Sequence, residues 1–167
     1  MFRKITRNHL ENFLKRQATD KRVLNVGSGA DLYNYRRFFP NAVSFDVDPN
    51  NKPNVIGDAH ALPFKNEEFE VVLCAEVLEH LIDPKKAISE MRRVLKSGGT
   101  LILTTRFVYP IHDSPHDYWR FTKYGLMELF KEWEVIELIS ETRNFSTIAV
   151  LLQRIGFQSI LKLNKLS

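Results

Sequence analysis

Three short stretches carry residues whose types and spacing suit the binding of a nucleoside-like ligand. Gly27-Ser28-Gly29 ends an apolar run, Val23-Leu24-Asn25-Val26. Gly27 permits a tight turn off a strand, and Gly29 lets a ligand approach backbone where a Cβ would intrude. The N–H groups that follow are placed to open a helix, with a weakly positive end. Asp46 follows a second apolar run, nineteen residues after Gly27. A carboxylate there can accept both hydroxyls of a ribose. Asp48 competes for that role, and Asp46 is preferred because it lies nearer the strand end. Asp58-Ala59 follow a third short run, where a side chain can reach the exocyclic amine of an adenine. Each feature alone is commonly a turn or a solvated acid. Three of them at successive strand ends are much harder to obtain by accident.

A second group of residues suits proton transfer. His80 follows Glu79, and His112 and His116 lie in a stretch with Asp113, Asp117, Tyr118, Trp119 and Arg120. An unperturbed imidazole titrates near pH ~6.5 and can act as a base at neutral pH. His116, His112 and His80 are therefore the candidate catalytic bases. Asp117, Tyr118, Trp119 and Arg120 are the candidate acceptor contacts, since an aromatic ring beside a guanidinium can stack on a sugar or another ring. The bland alternative is a lid pinned by an Asp117–Arg120 pair. Pro115 excludes a helical i, i+4 zinc pair from His112 and His116. No other Cys/His cluster stands out, so no metal is expected.

The glycine turn departs from the dinucleotide fingerprint, which needs G-x-G-x-x-G. Asp31 and Leu32 follow where a third glycine would fall. Asp31 near a pyrophosphate would be repelled, whereas a cationic ligand would not. The chain also lacks the G-x-x-x-x-G-K-[ST] of a P-loop.

The elements that must hold these residues alternate between short apolar runs and helical patterns, as βαβ units on a parallel sheet do. A lead-in helix is predicted over 5–18. Strands are predicted over 22–26, 42–45, 54–56, 69–75, 100–107 and 133–139. Leu32, Tyr35, Phe38 and Phe39 recur at helical spacing and Pro40 closes that element. Asp83 and Pro84 read as N-cap and first residue of a helix whose apolar face is Ala87, Ile88, Met91, Val94 and Leu95. Gly98-Gly99 is the expected C-cap. Thr122 caps a last helix with Leu126, Leu129 and Phe130 on one face. The fold class is α/β: a Rossmann-like, doubly wound, mostly parallel sheet with helices on both faces, on one domain spanning 1–167.

Composition is that of an ordinary globular domain, 44% hydrophobic and 26% charged. A lone cysteine, Cys74, excludes a disulfide within the chain and suits a reducing, cytoplasmic setting. Neither a secretory h-region nor an uncharged stretch of membrane-spanning length is present. The net charge of +4 is uneven. Residues 1–22 carry seven Lys/Arg against two acids, 144–167 carry three against none, and 23–143 carry fourteen against eighteen. An acidic middle without an appended RNA-binding module disfavours a nucleic-acid partner. The 145–167 segment is apolar and basic. It packs on the domain, or lies on a membrane surface as a peripheral contact.

At this point the sequence resembles the class I S-adenosylmethionine-dependent methyltransferases, in particular the small bacterial "methyltransferase domain 11" type. The resemblance runs from about Val23 to Glu141 and is carried by VLNVGSGAD, SFDVDP, GDAHALPF, FEVVLCAEVLEHL and RRVLKSGGTLILTT. It implies that Gly27, Ser28 and Gly29 line the methionine and ribose of S-adenosylmethionine and that Asp46 holds the ribose, with Val47 beside the adenine. It also implies that Asp58 and Ala59 contact the adenine, and that Cys74, Ala75 and Glu76 border the methyl group. VYPIHDSPHDYWRFT resembles a loop of methyltransferases often linked to surface-polysaccharide chemistry. Two motif positions differ from the family, Asn25 in place of an acid and Asp31 in place of a glycine. The family sheet closes with an antiparallel hairpin, and no seventh strand is legible after 133–139.

The expected function is methyl transfer from S-adenosylmethionine to a small-molecule acceptor, with a sugar or a lipid-linked saccharide among the candidates. The competing expectations are a noncatalytic cofactor-binding scaffold and a nicotinamide oxidoreductase.

Overall fold

The structure is a computed structural model that describes residues 5–29, 35–135 and 137–139. Helix α1 (Ile5–Arg16) leads in. Five strands follow: β1 (Val23–Val26), β2 (Ala42–Asp46), β3 (Val55–Ile56), β4 (Phe69–Ala75) and β5 (Leu95–Thr104). Helix α2 (Pro84–Val94) joins β4 to β5, and α3 (Lys123–Leu129) comes after β5. The strands form one sheet in the order β3-β2-β1-β4-β5, and every pairing is parallel.

β1 and β4 occupy the middle, and their sequences show why. VLNV is buried throughout, and FEVVLCA is buried at all but one position. Such near-continuous apolar runs belong to strands covered on both faces. Alternate residues serve the two faces. Leu24, Val26, Val72 and Cys74 pack with Ala87, Met91 and Val94 of α2. Val23, Val71, Leu73 and Ala75 pack with Leu10 and Leu14 of α1 and with Tyr35 and Phe39. The sheet is thus doubly wound. The order of the strands reverses between β1 and β4, the switch point at which open α/β sheets bind ligands.

The start of α2 is as read from sequence: Asp83 accepts a hydrogen bond from Lys86 N at 3.1 Å, and Pro84 follows it. Its end is not. The helix stops at Val94, and Leu95 is already extended and paired with Phe69. Gly98 does adopt a positive φ of 71°. It does so inside a bulge, because Leu95 pairs with Phe69 and Thr100 with Val71. The left-handed residue turns a strand rather than capping a helix.

Three more expectations need adjustment. β5 ends at Thr104 rather than at 107, so Arg106 and Phe107 belong to the loop beyond it. Residues 35–37 form a single 3-10 turn, and 30–34, including Asp31 and Leu32, lie outside the described residues. The predicted sixth strand, 133–139, carries no strand among the described residues. Trp133 instead closes a turn by donating its N–H to Phe130 O and packs against the α2 side of the core. The 145–167 segment and any further strand also lie outside the described residues. No helix among the described residues is long and apolar enough to cross a membrane.

Candidate functional site

Parallel strands bring their C-terminal ends to one edge, and the predicted ligand residues collect there. Gly27 has φ +66° and Gly29 φ +62°, a region that side-chain-bearing residues avoid. Gly27 also has no room for a side chain: a Cβ there would lie 2.3 Å from Val77 Cγ2. The turn is tied to β2. Gly27 N and Ser28 N both donate to Phe45 O, at 2.8 and 3.0 Å.

Asp46 is the pivot of this end. Its carboxylate is buried, with Oδ2 accepting Gly29 N–H at 2.7 Å and Oδ1 accepting Asp48 N–H at 2.9 Å. Each carboxylate oxygen has a further lone pair, so the group that fixes the glycine turn can still receive hydroxyls. Asp48 has a different task. Its Oδ1 accepts from Asn50 N and Nδ2 and caps the Pro49–Asn51 turn. Asp48 is thus committed to its own turn, whereas Asp46 faces the glycine turn.

Val47 and Ile56 stand exposed, at 72% and 57%, on adjacent strand ends, since Ile56 is the register partner of Asp46. Large aliphatic side chains at that exposure suit the face of a base. Asp58 is exposed and accepts both the N–H and Nδ1 of His60, at 2.9 and 2.5 Å. The backbone hydrogen bond from His60 chiefly lowers its pKa. Ala59 beside it is buried. Ser28 Oγ is buried without a hydrogen-bond partner, so the turn retains an unused polar atom. These features fit a nucleoside with an attached amino-acid chain.

At the tip of β4 the three predicted residues separate. Cys74 is fully buried in the core facing α2, and burial pushes its thiol pKa far up, so it is an inert packing residue. Ala75 is buried on the opposite face. Glu76 turns out of the strand with φ +61°. Its Oε1 accepts from Thr104 Oγ1 at 2.9 Å, and Arg106 forms an ion pair with its other oxygen.

The second predicted group forms a separate cluster beyond β4 and β5. The loop after β5 returns over the 3-10 turn Leu78–His80: Tyr118 N and Trp119 N donate to Glu79 O at 3.0 and 3.1 Å. His80 Nδ1 donates to His116 O at 2.6 Å, and Trp119 Nε1 donates to Leu81 O at 2.8 Å. The His80 and His112 rings meet edge to face at 4.8 Å. Asp117 is a clasp inside the loop. Arg120 holds both its oxygens at 2.6 Å, and Oδ2 also accepts His112 N–H at 2.8 Å. The Arg120 hydrogen bonds hold the Asp117 carboxyl well below the usual carboxylate range.

Asp117 and Arg120 are thus occupied in holding the loop. Asp117 is only 1% exposed and is not available as an acceptor contact in this arrangement. His116, Tyr118 and Trp119 are exposed, with His116 Nδ1 3.0 Å from the Tyr118 hydroxyl. Sequence reasoning passed over Glu79. It is fully buried, with Oε2 accepting from Thr105 Oγ1 at 2.7 Å and Oε1 without a hydrogen-bond partner. The available signal was an acid directly before a histidine, a few residues beyond a buried strand.

A parallel sheet with a glycine turn, an acid at the end of β2 and exposed apolar residues beside it has the features of a nucleoside-binding α/β domain. Residues 24–103 match the family described as "Methyltransferase domain" (Methyltransf_11), and over these residues the chain is similar to class I S-adenosylmethionine-dependent methyltransferases. The demethylmenaquinone methyltransferase of Renibacterium salmoninarum is 34% identical over 102 residues, 54% of this chain and 43% of that one. The ubiquinone biosynthesis O-methyltransferase of Pseudomonas syringae pv. tomato is 28% identical over 102 residues, 51% and 45% of the two chains. A SAM-dependent methyltransferase structure from Aquifex aeolicus superposes with TM-score 0.57 at 17% identity, over 79% of this chain and 88% of that one. The last likeness concerns the fold alone. The chain spans less than half the length of the curated relatives it matches.

Proposed function

We propose that this protein transfers the methyl group of S-adenosylmethionine to a small cyclic acceptor seated under the 106–121 loop. The observation that carries the reading is the joining of the glycine turn to Asp46 by the 2.7 Å bond from Gly29 N. That bond places a ribose-competent carboxylate against a turn whose flanking positions, Gly27 and Gly29, carry no side chain. S-adenosylmethionine supplies a methyl carbon already activated by its sulfonium. The chain therefore needs mainly to align donor and acceptor, a contribution worth several kcal/mol in intramolecular reactions.

In this reading Gly27, Ser28 and Gly29 line the donor's amino-acid and ribose parts, and Asp46 holds the ribose. Val47, Asp58 and Ala59 surround the base, and Glu76 borders the methyl side. Cys74 and Ala75 contribute backbone and packing only. His116 is the proposed base for an acceptor hydroxyl, because it is exposed beside Tyr118 and tethered by its own carbonyl to His80. Tyr118 and Trp119 offer rings against which a cyclic acceptor can stack.

Two acceptor classes merit testing. A quinol-type aromatic ring is favoured by the quinone-related names of the relatives. A sugar or lipid-linked saccharide is favoured by the resemblance of the 108–122 stretch. Turnover of S-adenosylmethionine with a panel of aromatic diols, quinols and saccharides tests the proposal. S-adenosylhomocysteine formation that depends on an acceptor supports it. Tight S-adenosylhomocysteine binding without turnover on any acceptor favours a binding scaffold instead.

A further inference from the structure

We propose that Glu79, His80 and His112 bind a divalent transition-metal ion. A carboxylate oxygen of Glu79 and one nitrogen from each imidazole lie within 4.8 Å of one another. Metal bonds near 2.1 Å put ligand atoms roughly 3.0–3.4 Å apart, so small side-chain rotations close the set. The three residues come from the Leu78–His80 turn and from the loop after β5, 32 positions apart between His80 and His112. Spacing along the chain therefore does not reveal them. The sequence-based expectation of no metal considered His112 and His116 on one helix, and the fold pairs His112 with other partners.

Each candidate ligand is held from behind and keeps an atom to offer. Glu79 Oε2 accepts from Thr105, while Oε1 is buried with no hydrogen-bond partner. A buried carboxylate oxygen in that condition lacks the compensation that burial demands. His80 donates Nδ1–H to His116 O at 2.6 Å, a bond that fixes the tautomer leaving the Nε2 lone pair available. His112 is steadied through its backbone N–H and lies with Nδ1 3.2 Å from Asp117 Oδ2. A carbonyl accepting from the other ring nitrogen, as His116 O does for His80, is the arrangement that orients metal-binding imidazoles, while His112 Nδ1 is buried without a hydrogen bond. Arg120 also faces Glu79 electrostatically. It is engaged by both oxygens of Asp117, which leaves Glu79 Oε1 without a direct partner.

Two imidazoles and one carboxylate select a borderline ion such as Zn²⁺, Co²⁺ or Fe²⁺ over Mg²⁺ or Ca²⁺, which prefer all-oxygen sets. Three protein ligands leave coordination positions open for water or for an oxygen of a small molecule. The cluster lies under the loop assigned to the acceptor, so an acceptor oxygen is the natural occupant. That last assignment rests on the methyltransferase reading, whereas ion binding does not.

The test uses the tag-free full chain stripped with a chelator and titrated with Co²⁺. One Co²⁺ per chain is expected, with visible absorption bands of imidazole ligation, displacement by Zn²⁺ and no competition from millimolar-range Mg²⁺. His112→Ala should weaken Co²⁺ binding by roughly a hundredfold, at least what loss of a supporting partner costs. His9→Ala, an exposed histidine on α1, should not change it. Zn²⁺ should raise the melting temperature of the wild type but not of His112→Ala. Absent or unsaturable Co²⁺ binding, or equal binding by His112→Ala, overturns the proposal. S-adenosylhomocysteine titrated on the same samples separates that failure from failure of the cofactor site.

Discussion

The two halves of the site are built on different principles. The proposed cofactor end, at the tips of β1, β2 and β3, is made of backbone. Gly27 and Gly29 shape it, and Asp46 ties the turn to the sheet through main-chain N–H groups. The proposed acceptor end, beyond β4 and β5, is made largely of side chains. His112, Asp117, Tyr118, Trp119 and Arg120, in the loop between β5 and α3, hold one another and the Glu79 carbonyl, and His80 of the Leu78–His80 turn binds that loop at His116 O. A backbone-built site tolerates almost no substitution at its glycines. A side-chain-built site can be retuned residue by residue, as suits a region that chooses among acceptors.

The sharpest way to break that contrast is at Gly27. Gly27→Ala forces a Cβ into Val77 and into a left-handed φ, with a combined cost of roughly 2–5 kcal/mol. Chemical denaturation should report the loss of stability, and calorimetry should report loss of measurable S-adenosylhomocysteine binding. An alanine variant of wild-type stability and affinity would remove the backbone account of this end.

On the acceptor side, His116→Ala should cut methyl transfer about a hundredfold, the low end for a lost general base. It should leave cofactor affinity within about threefold, or roughly 0.7 kcal/mol. Steady-state kinetics that show an unchanged kcat would return the loop to a purely structural role.

Asp46→Ala should weaken cofactor binding by at least tenfold. Charge-assisted bonds contribute roughly 1.5–3 kcal/mol each, and tenfold needs about 1.4. Asp48→Ala should do less, since its carboxylate serves the Pro49–Asn51 turn.

A further effect, on stability rather than on binding or turnover, concerns the clasp. Asp117→Asn should cost roughly 1.5–3 kcal/mol at neutral pH through its bonds to Arg120. The folded Asp117 carboxyl is held below its unfolded pKa. Its stabilisation is therefore fully present above the unfolded value of about 3.9 and is lost as pH falls below it. Melting curves should show wild type and variant converging below about pH 4 and separated above it.

These contrasts also explain what could be read from sequence. The backbone-built end was legible because glycine, aspartate and apolar runs act through local rules. The five strands, the Asp83-Pro84 helix start and the position of Asp46 at a strand end all follow from turn geometry and apolar runs. Gly98 was read correctly as left-handed and assigned to the wrong element, because a helix C-cap and a strand bulge ask the same thing of a glycine. Trp133, expected to open a sixth strand, is instead a turn residue resting on the core. At the acceptor end the residue types were visible and their partners were not. Asp117 and Arg120 pair three residues apart, whereas Glu79 meets Thr105 and His112 only because β4 and β5 lie side by side. Contacts of that range are set by the sheet order rather than by spacing.

One measurement tests the division most directly: calorimetric titration of S-adenosylhomocysteine into wild type, Asp46→Ala and His116→Ala. The predicted result is a loss of at least tenfold for Asp46→Ala and a change within threefold for His116→Ala. Equal losses in the two variants, or a larger loss for His116→Ala, would contradict the separation of a cofactor end from an acceptor end.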